Sequence, residues 1–169
     1  MRAEHINPFI ESVSEVFESM LETDVEALEI QAAKDDKGPP DIIALIGLSG
    51  TAQGVVALKF PVQTALGIIS KMVGFEIHSV DSSVIDGVGE LVNIVAGNAK
   101  TKFTKHSIRL SLPSVVRGNL YTLKNLGELT WLSVPFKSNL GDFEIEVSFK
   151  PATKKAVKKD GGKKAANPA

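Results

Sequence analysis

One run of twelve residues constrains this chain more than any other: Asp86-Gly87-Val88-Gly89-Glu90-Leu91-Val92-Asn93-Ile94-Val95-Ala96-Gly97. It sits inside a segment, Ser82 to Lys105, that reads as the longest helix of the chain. At about 100° per residue, Val84, Val88, Leu91, Val95 and Ala99 fall on one side, enough apolar surface for a core face. Asp86, Glu90, Asn93, Gly97 and Lys100 fall on the other, so a carboxylate and a carboxamide stand one turn apart and point away from the core. Gly87, Gly89 and Gly97 interrupt the same helix, each at a cost of about 0.5–1 kcal/mol relative to Ala. Two reasons for such glycines stand open. One is tight packing against a neighbouring helix; the other is close approach by a ligand or another backbone.

The remaining elements are read around that helix. Asn7-Pro8 offers an N-cap followed by proline at the first helical position, and Ile10, Val13, Phe17, Met20 and Leu21 recur at helical spacing to about Thr23. Val25 to Ala33 alternates with one slip and predicts a strand; Lys34 to Pro40 is a loop. Ile42–Leu48 and Gly54–Phe60 predict a hairpin across a turn at Ser49-Gly50. Pro61 opens a helix that Gly74 closes, and Ser82 or Ser83 caps the central helix.

Beyond Lys105 the pattern turns to strands. Ile108, Leu110 and Leu112 alternate before Pro113, Leu120 to Leu123 follow Gly118-Asn119, and Leu129–Phe136 leads to Phe143–Phe149. The last two predict a hairpin with one solvated face. Short turns between consecutive strands imply an antiparallel sheet with long helices packed on one face, an α+β domain.

Charge divides the chain into two parts. From Ala152 onward six lysines face one acid, whereas the preceding body carries more acids than bases although the total is only −1. The expected organisation is one domain over residues 1–151 and a disordered, solvated Lys-rich tail over 152–169. That tail lacks aromatic interleaving or any motif for nucleic acid. No apolar run approaches the ~20 residues of a membrane span, and no signal-peptide core follows Met1. Cysteine is absent, which excludes disulfides, thiol nucleophiles and zinc–thiolate sites. A cytoplasmic protein is the expectation.

Common enzyme signatures are missing. His5, His78 and His106 have no metal-ligand spacing and read as surface or structural residues. Gly47-Leu48-Ser49-Gly50 lacks the spacing of a nucleophile elbow, and no phosphate-cradling glycine loop is present. Trp131 and Tyr121 read as strand-packing residues. The sequence builds no self-sufficient active site.

The stripe Glu90-Leu91-Val92-Asn93, with Asp86 before it and Pro113 after it, resembles the motif of the CheC/CheX/FliY family of chemotaxis phosphatases. The CheX branch is matched further by Ile6-Asn7-Pro8-Phe9-Ile10, by Gly47-Leu48-Ser49-Gly50, and by Val134-Pro135-Phe136 with Gly141-Asp142-Phe143-Glu144-Ile145-Glu146-Val147. The resemblance spans about residues 4 to 150. It implies hydrolysis of the aspartyl phosphate on CheY or a related receiver domain, with Glu90 and Asn93 as catalytic residues. Asp86, Gly97 and Lys100 would meet the partner, and Pro113 would shape the adjoining loop. The chain itself would bind no metal, because the receiver supplies its own Mg²⁺ and lysine.

An acyl phosphate is labile and its transferred group passes through a loose transition state, so positioning and electrostatics suffice. A carboxamide can orient a water because it both donates and accepts, and a carboxylate can pair with a cationic lysine. Two-site members repeat the motif by pseudo-symmetry. The helix opened by Pro61 is the expected counterpart here and carries no Glu-x-x-Asn, so one site per chain is implied, along with a homodimer formed by strand pairing. A different class of function on the same scaffold would be a binding module that docks a receiver or flagellar-switch partner without hydrolysis. The plainest alternative is a solvated helix face.

Overall fold

The computed structural model describes residues 3–33, 41–118 and 130–152. The loop at Lys34–Pro40, the strand expected at Leu120–Leu123 with Tyr121, and the tail from Thr153 lie outside them. Among the described residues three helices, α1 (Ala3–Leu21), α2 (Val62–Val73) and α3 (Ser82–Lys102), accompany eight strands. These are β1 (Val25–Ala27), β2 (Gln31–Ala32), β3 (Ile42–Gly50), β4 (Ala52–Phe60), β5 (Ile108–Leu110), β6 (Ser114–Arg117), β7 (Trp131–Ser138) and β8 (Phe143–Pro151). They form one antiparallel sheet in the order β1-β7-β8-β4-β3-β5, with β2 also on β7 and β6 also on β3.

Alternation along the strands decides where the core lies. Ile42, Ala44, Ile46 and Leu48 of β3, Val56, Leu58 and Phe60 of β4, and Phe143, Ile145, Val147 and Phe149 of β8 enter one cluster with the buried faces of all three helices. Phe143 sits among aromatic rings, stacked on Phe17 and Phe136 with centroids 4.8 and 5.1 Å away. The α+β expectation with helices on one face holds. The expected solvated face of the last hairpin does not, because Ser133, Glu146 and Ser148 are buried. β8 is a central strand flanked by β4 and β7, and its polar side chains pair sideways: Glu146 with Lys59, and Glu144 with Ser133.

Helix ends depart from the sequence reading in instructive ways. α1 begins at Ala3, and Pro8 lies within it rather than opening it, because burial of Ile6 holds the extra turn against the core. α2 follows Pro61 and ends at Gly74 with φ 82°, as expected. α3 is capped by Asp81, whose carboxylate accepts from the Val84 N–H at 3.2 Å; Ser82 is already helical. Asp caps as well as Ser and adds a negative charge at the positive end of the helix dipole. The Ser49-Gly50 turn moves to Thr51, since pairing runs through Gly50 and β4 begins at Ala52.

The strand expected over Val25–Ala33 is broken at its slip. Ala27 pairs with Phe136 and Gln31 with Ser133, so one strand carries a residue more than its partner, a β-bulge. The same bulge recurs between β5 and β6: Leu110 pairs with Leu48 and Ser114 with Leu45. Even the hydrogen bond inside it is repeated, Leu28 N–H to Pro135 C=O and Ser111 N–H to Gly47 C=O, both 2.9 Å. The strand β6 was not foreseen, and the bulge that precedes it turns Leu112 out of the Ile108–Leu110 alternation.

Those repeats define two halves, α1-β1-β2-β3-β4 and α3-β5-β6-β7-β8, related by a pseudo-two-fold axis between β4 and β8. The counterpart of α3 is therefore α1, not the helix opened by Pro61. Aligning the buried residues Ile6, Phe9, Val13 and Phe17 with Val88, Leu91, Val95 and Ala99 puts Pro8 opposite Glu90 and Glu11 opposite Asn93. A Glu-x-x-Asn spacing does occur in α1, at Glu4 and Asn7, but one turn nearer the N-terminus.

Candidate active site on helix α3

Burial along α3 follows the 100° period. Val84, Val88, Leu91, Val95 and Ala99 are fully buried, and Gly89, Val92 and Ala96 widen that face. Asp86, Glu90 and Lys100 are exposed, whereas Asn93 and Gly97 are half-buried. The structure thus brings all five expected residues onto one outward stripe. No ion pair or side-chain hydrogen bond engages Asp86, Glu90, Asn93 or Lys100 among the described residues. The carboxylate and the carboxamide are held in place by their helix and are open to an external group.

The three glycines have different reasons. At Gly87 an added Cβ would lie 2.7 Å from Cδ1 of Ile69, so α2 packs tightly there. At Gly89 it would meet Val115 and Pro113 at 3.5–3.9 Å, ordinary contact. At Gly97 it would meet nothing within 4 Å. The packing reading therefore accounts for Gly87, and no internal contact accounts for Gly97.

Neighbouring elements frame the stripe. Pro113 lies over Gly89, one residue from Glu90, so the loop between β5 and β6 borders the site. Arg117 reaches the other way, donating to the Val80 carbonyl at 3.1 Å and tying β6 to the chain entering α3. At the far end Lys102 is spoken for: its ammonium lies 2.6 Å from Glu15 and 3.5 Å from Glu11 of α1. The hydrogen bond to Glu15 raises its pKa from the ordinary 10.5, aided by the charges of Glu15 and Glu11 against desolvation.

Other polar residues fall elsewhere. His5 and His106 pack their rings against Phe149, and His78 is exposed, so none of the three enters the stripe. Among the described residues no three or more His, Asp or Glu side chains are grouped to hold a metal ion, and no helix is long and apolar enough to cross a membrane. Sequence reasoning placed Leu112 in a strand alternation with Ile108 and Leu110. It is 87% exposed on the loop beside the site, a position visible only once the bulge is known.

The structure therefore places an outward Glu/Asn pair on the long helix of a pseudo-two-fold α+β sheet domain. The family model for the chemotaxis phosphatase CheX matches residues 42–137, more than half of the chain. The chain belongs to the CheX family. It is similar to the CheY-P phosphatase CheX of Thermotoga maritima, 28% identical over 154 residues that cover 89% of this chain and 98% of the relative. Chemotaxis protein CheX from Vibrio vulnificus superposes with a TM-score of 0.80 at 30% identity, over 88% of this chain and 100% of that one. CheX in the CheX–CheY–BeF3–Mg²⁺ complex from Borrelia burgdorferi superposes with a TM-score of 0.75 at 25% identity, over 88% and 99% of the two chains.

Proposed function

We propose that this chain is a protein-aspartate phosphatase that dephosphorylates a CheY-type receiver domain, with Glu90 and Asn93 entering the receiver's active site. The observation that carries the reading is the Glu90/Asn93 pair on the outward face of α3, with no side-chain hydrogen bond or ion pair among the described residues, on a helix fixed by a buried face. The names of the relatives support it: one is a CheY-P phosphatase, and another is a complex with CheY, Mg²⁺ and beryllofluoride, a stand-in for the phosphoryl group.

The reaction is hydrolysis. Water oxygen forms a bond to phosphorus, the bond from phosphorus to the aspartyl oxygen breaks, and the products are a carboxylate and inorganic phosphate. The receiver contributes Mg²⁺ and a lysine, which neutralise charge on the phosphoryl group. Asn93 accepts from the attacking water through its carbonyl, or donates to it through its amide, and so holds it in line with phosphorus. Glu90, about 60° away around the helix, pairs with the receiver lysine and sets the docking register. Gly97 lets the partner backbone approach, while Asp86 and Lys100 mark the two ends of the contact. The α1 counterparts Pro8 and Glu11 offer no carboxamide, so one site per chain is expected. A homodimer formed by adding strands at a sheet edge belongs to the same reading.

The experiment is decay of acid-labile phosphate on a panel of phosphorylated receiver domains, with and without this protein. Acceleration for at least one receiver, reduced in Glu90→Ala mainly through weaker binding, is the expected result. Binding without acceleration of any receiver would replace the enzyme by a docking module.

A further inference from the structure

We infer that Leu112 is an apolar anchor for the receiver, seated beside the Glu90–Asn93 stripe; the inference rests on the proposed function and adds a recognition residue to it. Leu112 is 87% exposed, the most exposed large hydrophobic side chain among the described residues. A lone exposed leucine needs no explanation in general. This one is held where it is by a rigid loop. Ser111 N–H donates to the Gly47 carbonyl at 2.9 Å, Gly47 N–H donates to the Ser111 hydroxyl at 2.9 Å, and that hydroxyl donates to the Leu112 carbonyl at 2.8 Å. On the other side Pro113 rests over Gly89, next to Glu90. The loop is thus fastened to β3 and seated against α3 through Pro113, and the exposed Leu112 is the residue immediately before Pro113.

The pseudo-two-fold supplies an internal comparison. The bulge between β1 and β2 has the same register and the same hydrogen bond, Leu28 N–H to Pro135 C=O. Its residue equivalent to Leu112 is Glu29, also exposed. One backbone device, used twice, presents a solvated charge on the half without the Glu/Asn pair and a leucine on the half that has it. Backbone geometry cannot require the leucine, since Glu29 satisfies the same geometry. Exposed apolar surface on a loop that borders a polar site fits a protein partner that buries it, with the polar groups fixing orientation. The occupant is the surface of the receiver that borders its phosphoaspartate pocket, because that pocket must come down on Glu90 and Asn93.

The test measures binding of receiver domains loaded with Mg²⁺ and beryllofluoride to wild type, Leu112→Glu, Leu112→Ser and Leu112→Met, with Glu29→Leu as a control. Expected are a rise in Kd of about tenfold or more for Leu112→Glu and Leu112→Ser, a near-wild-type value for Leu112→Met, and no change for Glu29→Leu. The rate at saturating phosphorylated receiver should stay within about twofold of wild type in the Leu112 variants, the signature of lost uniform binding. Unchanged affinity in Leu112→Ser overturns the inference, including the case in which only Leu112→Glu binds poorly, since that would be repulsion of a charge. If wild type binds receivers without accelerating decay, the proposed function fails while the Leu112 comparison can still be read. If wild type binds none, both fall.

Discussion

Cδ1 of Ile69 stands where a methyl group on Gly87 would lie, 2.7 Å from the ideal Cβ, with Cγ2 and Cγ1 at 3.2 and 3.3 Å. Ile69 is fully buried, so little room exists for it to give. Gly97, on the same helix, has open space in the same test. The two glycines therefore answer to different constraints, one inside the molecule and one outside it.

Alanine separates them. Gly87→Ala should lower stability by about 1–2 kcal/mol, overpacking outweighing the gain in helix propensity. Gly97→Ala should raise stability by up to about 1 kcal/mol and weaken receiver binding, because the helix gains a better residue while the partner loses its clearance. Urea unfolding of both variants, with receiver titration of the second, checks the pair. Equal stability changes of the same sign would remove the distinction.

Lys102 ties α3 to α1 through Glu15 and Glu11. Its folded pKa is raised, so its contribution is fully present below the ordinary 10.5 and is lost as pH rises through the higher folded value. The melting-temperature gap between wild type and Lys102→Met should be open at about pH 8 and narrow as pH rises beyond the ordinary 10.5. A gap that stays constant through that window would mean that Lys102 acts through packing alone.

Glu146 and Lys59 pair on the helix-free face of the sheet, with side chains 10% and 17% exposed. Glu146→Ala takes a paired carboxylate away from a poorly solvated ammonium and should cost about 2 kcal/mol. Replacing both together, Lys59→Met with Glu146→Leu, should cost markedly less than the single change. A double-mutant cycle by thermal unfolding reads the coupling, and strict additivity would contradict it.

Asp81 is the side-chain cap of α3, accepting from Val84 N–H. Asp81→Ala should cost about 1 kcal/mol, and Asp81→Ser should recover most of it. Ser82→Ala should do little, since Ser82 lies within the helix. The reverse order in unfolding experiments would restore the serine as cap.

Much of this was legible because periodicity is a direct print of burial. Val84, Val88, Leu91, Val95 and Ala99 are buried at the spacing that predicts it, and the outward stripe is their complement. Gly74 and Pro61 mark the ends of α2 because their backbone chemistry suits those positions. What escaped was set by long-range pairing. β6, four residues between Pro113 and Gly118, is too short to carry an alternation and exists because Ile42–Leu45 pair with it. Leu112 completes an apolar alternation on paper, yet a bulge defined against Leu45 and Leu48 turns it outward. The two-fold relation is also silent in the sequence. It lives in registers and hydrogen bonds, and the halves share few residues, Glu29 against Leu112 among the differences. Pro8, a natural helix start, lies inside α1 because the buried Ile6 before it outweighs the local signal.

The central claim is that Asn93 positions the hydrolytic water. Its most direct test is the decay of phosphate on the receiver that wild type turns over fastest, measured with Asn93→Ala beside affinity for the beryllofluoride-loaded receiver. The account predicts that kcat falls by about a hundredfold or more while Kd moves by no more than about threefold. An Asn93→Ala protein that still accelerates decay at the wild-type rate would contradict it.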